Sequence, residues 1–303
     1  MADRVLMKGN EAIAEAAIRA GCRVMTSSSS PGISLKAEGL SYIAGSDIPA
    51  LVVNVQRGGP GLGGIQPSQS DYFQATKGGG HGDYRMIVLA PASVQEMASL
   101  TMKGFELADK YLMTSMILAD GTIGQMMEPI SFEDAEVKQF DKPWALTGTQ
   151  GKRKHNVVNS LYLKADELEV KNIERYERYK IVEENEPMWE EFMMEDADLC
   201  IVAFGIASRV AKNAVVAARA EGIKVGLIRP ITLWPFPKAP IAAAADKVKG
   251  FITVELNMGQ MIEDVRLYSG CKKPVTLCSR TGGMIVSPEE VLESIRKAEK
   301  GEF

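Results

Sequence analysis

The chain reads as an α/β protein in which one doubly wound unit of parallel sheet and helices is followed by a second, smaller one. Three observations predict this. The strand candidates are short and almost continuously apolar, amphipathic helices alternate with them, and the alternation breaks off near Pro129 and restarts at Asp198. A length of 303 residues agrees, because it exceeds the size at which one hydrophobic core usually stops growing.

Taken in order, residues 8–20 are rich in helix formers, place Ile13, Ala17 and Ala20 on one face and meet a stop at Gly21. Val24 and Met25 end a short strand that runs into Thr26 and four serines. Ser30 then suits an N-cap and Pro31 the first helical position of an apolar-periodic stretch to Ala44. Residues 50–55 (ALVVNV), 86–90 (MIVLA) and 115–119 (SMILA) are strands buried on both faces. Between the last two, a helix over 93–111 starts on a serine cap. From Pro129 to about Asp196 the pattern gives way to a loop at 142–159 and a charged helix near 165–186, read as a linker that wraps a domain surface. The second alternation comprises strand LCIVAFG, a helix at 208–220, a strand at 224–228, a proline-rich turn at 234–237, a helix to Val248, strands at 251–256 and 274–278, and a final helix at 288–299. The expected divisions are 1–135, a linker at 136–195, and 196–303.

Composition excludes several function classes. A formal net charge of −4, with no basic block longer than Lys152-Arg153-Lys154, gives no electrostatic footprint for nucleic acid. Apolar runs fall far short of the ~20 residues that cross a bilayer, and the start MADRVLMKGN has no signal-like apolar region, so a cytoplasmic protein is expected. Cys22, Cys200, Cys271 and Cys278 form no C-x-x-C pair and read as buried structural thiols. With two histidines and no cysteine runs, neither a zinc site nor an iron–sulfur cluster is expected on this chain.

The most informative stretch is the glycine loop from Arg57 to Asp71. Gly59-x-Gly61-x-x-Gly64 follows a strand and formally satisfies a dinucleotide fingerprint, with Asp83 near the spacing of a ribose-binding acid. That fingerprint needs a loop opening directly into a helix, and here residues 65–71 intervene, while Pro60 removes a backbone donor. The loop reads better as a site at the C-terminal end of a strand, where open α/β sheets hold their ligands. A guanidinium binds a planar carboxylate through two parallel hydrogen bonds, so Arg57 suits a 2-oxoacid. The alternative is that Arg57 caps carbonyls or pairs with Asp71 or Asp83. The serines before Pro31-Gly32 offer hydroxyls and free N–H groups to an anion or polar ring, or simply cap a helix. Lys77 to Asp83 is flexible enough for a lid, in which His81 is either a ligand donor or a loop residue. His155, in GKRKHN, reads as surface, and the methionines at 126–127 as core filler.

The segment TSSSSPGISLKAEGLSYIAGSDIPALVVNVQRGGPGLGGIQPSQSDYFQATKGGGHGDYR closely resembles the alpha-type subunit of 2-oxoacid:ferredoxin oxidoreductases, nearest to the branched-chain type acting on 3-methyl-2-oxobutanoate. FGIASRVAKNAVVAARAEGIKVGLIRPITLWPFP and TVELNMGQMIEDVR are similar to the transketolase-C-type domain that follows in that family. The resemblance covers most of the chain. It implies a pyrimidine-type thiamine diphosphate domain followed by a transketolase-C-like α/β domain, in a subunit active only with partners. The cofactor would be shared with a beta-type subunit. Magnesium and iron–sulfur clusters would lie on partner subunits only, among them a gamma-type and a ferredoxin-like subunit. The implied reaction is oxidative decarboxylation of a 2-oxoacid to acyl-CoA with reduction of ferredoxin. A 2-oxoglutarate or aryl-pyruvate enzyme, or a non-catalytic scaffold subunit, are the alternatives.

By the same resemblance, Arg57 takes the place of the arginine that holds the substrate carboxylate, and Ser29, Ser30, Pro31 and Gly32 that of a turn facing the cofactor. No residue is carried over as catalytic or metal-binding. The family's Tyr-Pro-Ile-Thr-Pro-type turn after the first helix, whose threonine faces the substrate, and the later glutamate that hydrogen-bonds the aminopyrimidine are both absent from this sequence. The resemblance therefore implies a segment lacking after Cys22.

Overall fold

The computed structural model describes residues 4–21, 24–132 and 140–303. The junction of Cys22 and Arg23, on which the expectation of a lacking segment rests, lies outside the described residues.

The first half builds β1 (Val5–Lys8), α1 (Gly9–Arg19), β2 (Met25–Ser28), α2 (Pro31–Leu35), α3 (Ala37–Gly45), β3 (Ala50–Gln56), α4 (Tyr72–Thr76), β4 (Ile87–Leu89), α5 (Val94–Tyr111), β5 (Thr114–Asp120), α6 (Gly121–Gln125) and β6 (Met127–Ile130). It is followed by α7 (Ala165–Asn185) and β7 (Trp189–Phe192). The second half contains β8 (Leu199–Ala203), α8 (Gly205–Ala220), β9 (Val225–Pro230), β10 (Thr232–Trp234), α9 (Lys238–Ala245), β11 (Gly250–Glu255), α10 (Met261–Tyr268), β12 (Val275–Ser279) and α11 (Pro288–Glu299).

The fold is α/β, as the apolar strands predict. Every residue of β5, β8 and β11 is buried, because helices cover both faces of each sheet and leave no solvent side on which polar residues would alternate. The first sheet runs β10-β4-β5-β3-β2 and the second β12-β11-β8-β9-β7. Within them β2, β3, β5 and β4 are parallel, as are β12, β11, β8 and β9. Ser93 caps α5 by accepting from the Glu96 amide at 3.1 Å, as its position in sequence predicts.

The expected divisions of the chain are crossed twice. β7, inside the presumed linker, adds antiparallel to β9, with Trp189 opposite Pro230. β10, from the second half, closes the edge of the first sheet by pairing antiparallel with β4, Thr232 opposite Leu89. The proline-rich turn thus begins with Trp234 in a strand. Both segments are too short for a period of two to stand out, and burial of Thr232, Leu233 and Trp234 against the other half holds β10 in place.

The helix expected from Pro31 to Ala44 is two helices broken at Lys36. The linker helix α7 is mostly exposed. It is pinned by Arg175, whose guanidinium donates to the Gly45 carbonyl at 2.6 Å and to both oxygens of Asp47. Cys200 and Cys278 are buried, and burial pushes both thiols up, but Cys271 is exposed, which corrects its reading as a core thiol. Cys22 lies outside the described residues. Among the described residues no helix is long and apolar enough to cross a membrane, and no group of three or more His, Cys, Asp or Glu is placed to hold a metal ion.

Candidate functional site at the junction of the two sheets

Parallel pairing of β2 with β3 puts Ser28 opposite Asn54, so the chain leaves both strands at the same C-terminal edge. Ser30 and Arg57 therefore become neighbours. Ser30 has a backbone φ of 32°, the left-handed side that an L-residue seldom takes. It is held there by tertiary partners. Its amide donates to Asn54 Oδ1 at 3.0 Å, and its hydroxyl lies 2.6 Å from Asp71 Oδ2 and accepts from the Arg57 amide at 3.0 Å. A serine hydroxyl has one proton to give, and the carboxylate at 2.6 Å takes it in preference to the Arg57 carbonyl at 3.4 Å. Asn54 Nδ2 donates to the same Asp71 oxygen at 2.8 Å, and Gln56 Oε1 accepts from the Asp71 amide at 3.0 Å.

This corrects one expectation for Ser30. It occupies the N-cap position of α2, yet its side chain does not cap the helix. Its hydroxyl proton and one acceptor lone pair are used inside the chain, by Asp71 and by the Arg57 amide. The Ser29 hydroxyl, by contrast, has no partner among the described residues. Gly32 packs closely on Ser28, since a Cβ there would fall 1.9 Å from the Ser28 hydroxyl as it stands and would make it rotate away.

Arg57 begins a closed loop. The Gly58 amide donates to the Gln66 carbonyl and the Gly64 amide to the Gly58 carbonyl, both at 2.9 Å, and Arg57 bridges to Pro67. Gly63 turns the loop with φ +57°, where an added Cβ would lie 1.9 Å from the Gly58 carbonyl oxygen. The guanidinium is short of partners. Nη2 donates to the Leu62 carbonyl at 3.3 Å, and Nε is buried with no partner among the described residues. Of the alternative reading, the carbonyl contact is present, from Nη2 to Leu62, whereas among the described residues Arg57 forms no ion pair with Asp71 or Asp83, and Asp71 Oδ2 faces Ser30 and Asn54. A buried, unpaired guanidinium nitrogen calls for an explanation, and an anion arriving from outside the chain supplies one.

The loop is also a domain junction. A Cβ on Gly58 would lie 3.1 Å from the Gly282 carbonyl carbon, so the turn between β12 and α11 packs directly on it. Beyond the loop, residues 68–73 are stitched to the second half. Gln69 donates its amide side chain to the Phe204 carbonyl at 2.8 Å and accepts from the Leu256 amide at 3.2 Å. Gln260 bridges the Ser70 carbonyl at 2.7 Å and the Phe73 amide at 2.8 Å, and the Tyr72 hydroxyl donates to Asp264 at 2.5 Å. The glycine run leads into this stitching and not into a helix, since α4 starts only at Tyr72; the dinucleotide reading fails on that geometry.

Two further acids lie at this junction. Asp120 caps α6, accepting from the Thr122 amide at 2.9 Å and the Ile123 amide at 3.1 Å, and also faces the Ile206 amide of the second half at 3.4 Å. Burial outweighs these bonds and pushes its carboxyl up to about 6. Glu255 accepts from the amides of Gln260, Met261 and Ile262 at the start of α10, and burial raises it as well. His81 is exposed and away from this edge, with its carbonyl held by the Ser41 hydroxyl at 2.5 Å, and His155 is on the surface as expected.

The sequence points to Arg57, Ser30 and Asp71 but not to Asn54 and Gln56 as the side chains that hold them, nor to Gln69 as a link to the second half. One signal was available: amides at 54 and 56 interrupt the otherwise apolar strand ALVVNVQ, and a polar side chain buried there needs a partner.

A twisted parallel sheet whose ligand edge is closed by a second α/β unit defines a transketolase-like architecture. Two solved structures bear this out as fold relatives. The 2-oxoglutarate:ferredoxin oxidoreductase from Magnetococcus marinus superposes with a TM-score of 0.82 at 24% identity, over 98% of this chain and 65% of that one. A split-gene transketolase in an inactive beta4 tetramer gives 0.56 at 13% identity, over 96% and 82%. The family model for the pyruvate flavodoxin/ferredoxin oxidoreductase thiamine diphosphate-binding domain matches residues 9–194, and that for pyruvate:ferredoxin oxidoreductase core domain II matches residues 197–291. Ketoisovalerate oxidoreductase subunit VorB of Methanothermobacter marburgensis is 54% identical over 93% of this chain and 80% of its own length. The 2-oxoglutarate synthase subunit KorA of the same organism is 33% identical, over 92% and 81%. The chain belongs to the pyruvate flavodoxin/ferredoxin oxidoreductase family.

Against the thiamine diphosphate that this family's first domain binds, the described residues fit incompletely. An aminopyrimidine needs a carboxylate to accept from it, and Asp71, Asp120 and Glu255 are all engaged inside the chain. The acid that the resemblance implies is not among the described residues, and no step through the cofactor is assigned to them.

Proposed function

We propose that this chain is the alpha-type subunit of an oxidoreductase that oxidatively decarboxylates branched-chain 2-oxoacids to acyl-CoA, with ferredoxin as electron acceptor. The single observation that carries the reading is the Arg57 guanidinium, which sits at the ligand edge of the sheet with no acid paired to it and with Nε buried and unpartnered. A 2-oxoacid supplies the planar carboxylate that completes such a fork. Identity of 54% to a ketoisovalerate oxidoreductase subunit, against 33% to a 2-oxoglutarate synthase subunit, favours the branched-chain substrate.

In this reading Arg57 holds the substrate carboxylate, Asp71 and Ser30 fix the backbone from which Arg57 projects, and the glycines let the loop close without side chains in the way. Ser29, Ser30, Pro31 and Gly32 face the cofactor. Thiamine diphosphate is shared with a beta-type subunit, which also carries magnesium. Iron–sulfur clusters on a ferredoxin-like subunit take the electrons, a gamma-type subunit completes the complex, and coenzyme A accepts the acyl group in the cytoplasm.

The test is steady-state kinetics of the assembled multi-subunit enzyme carrying Arg57→Ala or Arg57→Lys. Both are expected to raise KM for 3-methyl-2-oxobutanoate by about tenfold or more, a change of about 1.4 kcal/mol or above, because lysine cannot reproduce the planar fork. An unchanged KM in an intact complex leaves the chain as a scaffold subunit.

A further inference from the structure

The loop that carries Arg57 has an unusual composition at its tip. Residues 58–65 read Gly-Gly-Pro-Gly-Leu-Gly-Gly-Ile, so no side chain there donates or accepts a hydrogen bond. The two that project any distance, Leu62 and Ile65, are each 84% exposed. Lone exposed leucines are ordinary on surfaces. This one is held in place: Gly61 and Gly63 on either side have φ of +71° and +57°, the Gly64 amide closes the turn, and among the described residues the Leu62 carbonyl is the one partner of the Arg57 guanidinium, at 3.3 Å. The same backbone unit thus ties an apolar side chain to the cation.

From this juxtaposition we infer that Leu62 is the specificity-determining residue for the 2-oxoacid side chain. The inference rests on the reading of Arg57 as the carboxylate holder. A 2-oxoacid is short: its side chain starts two bonds from the carboxylate carbon, so a substrate gripped by Arg57 extends its alkyl group within reach of the isobutyl group whose carbonyl touches that guanidinium. Closure of the site over Leu62 then removes apolar surface on both partners from water, which favours a branched alkyl group over a methyl. It also disfavours a 2-oxoacid ending in a second carboxylate, because residues 58–65 provide no side-chain donor and a desolvated, unpaired carboxylate is costly. Leu62 makes no claim on the chemistry at the reacting carbon.

The experiment compares Leu62→Ala, Leu62→Ser and Leu62→Lys with the unaltered chain in the assembled enzyme, measuring kcat/KM for 3-methyl-2-oxobutanoate, pyruvate and 2-oxoglutarate. Size-exclusion chromatography of the complex is run on each. The expected result is a fall of about tenfold in the preference for 3-methyl-2-oxobutanoate over pyruvate with alanine or serine, the scale of a hydrophobic pocket losing a few carbons. With lysine the preference shifts toward 2-oxoglutarate. Unchanged substrate ratios in an intact complex overturn the inference. So does an equal fall for all three substrates together with loss of co-elution, which makes Leu62 a contact with a partner subunit. Failure of the unaltered enzyme to oxidise any of the three overturns the functional reading itself, an outcome distinct from either.

Discussion

Ser30 gives its hydroxyl proton to Asp71 across 2.6 Å, although 41 residues separate the two in sequence. The bond fixes a serine in left-handed backbone geometry and, through the Arg57 amide, sets the base of the glycine loop. Ser30→Ala removes an acceptor from that amide and one of two side-chain donors from Asp71. Leaving such partly buried groups unmatched costs about 1–3 kcal/mol. Denaturant unfolding should show this loss, and kinetics of the assembled enzyme should show a rise in 2-oxoacid KM smaller than that of Arg57→Ala, since the guanidinium is displaced but present.

Gly63→Ala separates loop shape from stability. The added methyl would collide with the Gly58 carbonyl oxygen at 1.9 Å, and φ of +57° is itself unfavourable for alanine. The Gly64–Gly58 closure should open and release the Leu62 carbonyl from Arg57. The melting temperature should change little because the loop tip is exposed, while KM for the 2-oxoacid rises about as much as in Arg57→Lys. A melting point that falls steeply with KM intact would mean the loop is structural only.

Asp120 predicts a pH dependence of opposite sign to that of an ion-paired acid. Its carboxyl is raised by burial from 3.8 to about 6, so between these values the folded chain holds a proton that the unfolded chain has released. Stability from this group is therefore present at low pH and lost as pH rises from about 4 to about 6, by on the order of 3 kcal/mol. Urea unfolding of the unaltered chain and of Asp120→Asn at pH 4, 5, 6 and 7 isolates the effect. The variant should gain relative to the unaltered chain across that window and run parallel to it above pH 7.

Arg229 locks the second half onto α5. Its Nη1 and Nη2 reach the two oxygens of Glu96 at 2.8 and 2.7 Å, and the residue is 5% exposed. Its Nε also lies 3.1 Å from Glu190, so Arg229→Met should cost about 3 kcal/mol in unfolding free energy by leaving both carboxylates without that cation. Restoration by Arg229→Met combined with Glu96→Gln would confirm that the loss comes from the stranded charge. Equal destabilisation in the double variant would point to lost packing of the arginine stem or to the Glu190 carboxylate left without the same guanidinium.

Much of the fold was legible because burial on both faces writes itself into the sequence. β8 is an unbroken apolar run, β3 and β5 are mostly apolar, and Ser93 sits where a cap should be. What could not be read depends on partners far along the chain. β1 and β6 are four-residue strands that exist by pairing with each other, and β10 by pairing with β4. Ser30 followed the local rule for a helix cap only until Asp71 offered a stronger acceptor. Arg57 was legible through its strand-end position and its family resemblance, but that it would lack an acidic partner was a fact of three dimensions, decided by Asn54 and Ser30 occupying Asp71 first.

The closing of the first sheet by Thr232–Trp234 has a consequence for access. A substrate cannot enter by the two halves swinging apart, since that hinge would have to tear the β4–β10 ladder and unzip Gln69 from Leu256. The chain behaves as a fixed anvil. On the reading proposed above, what comes down upon the Arg57 loop to govern entry and exit belongs to a partner subunit, and this chain supplies the grip on the carboxylate.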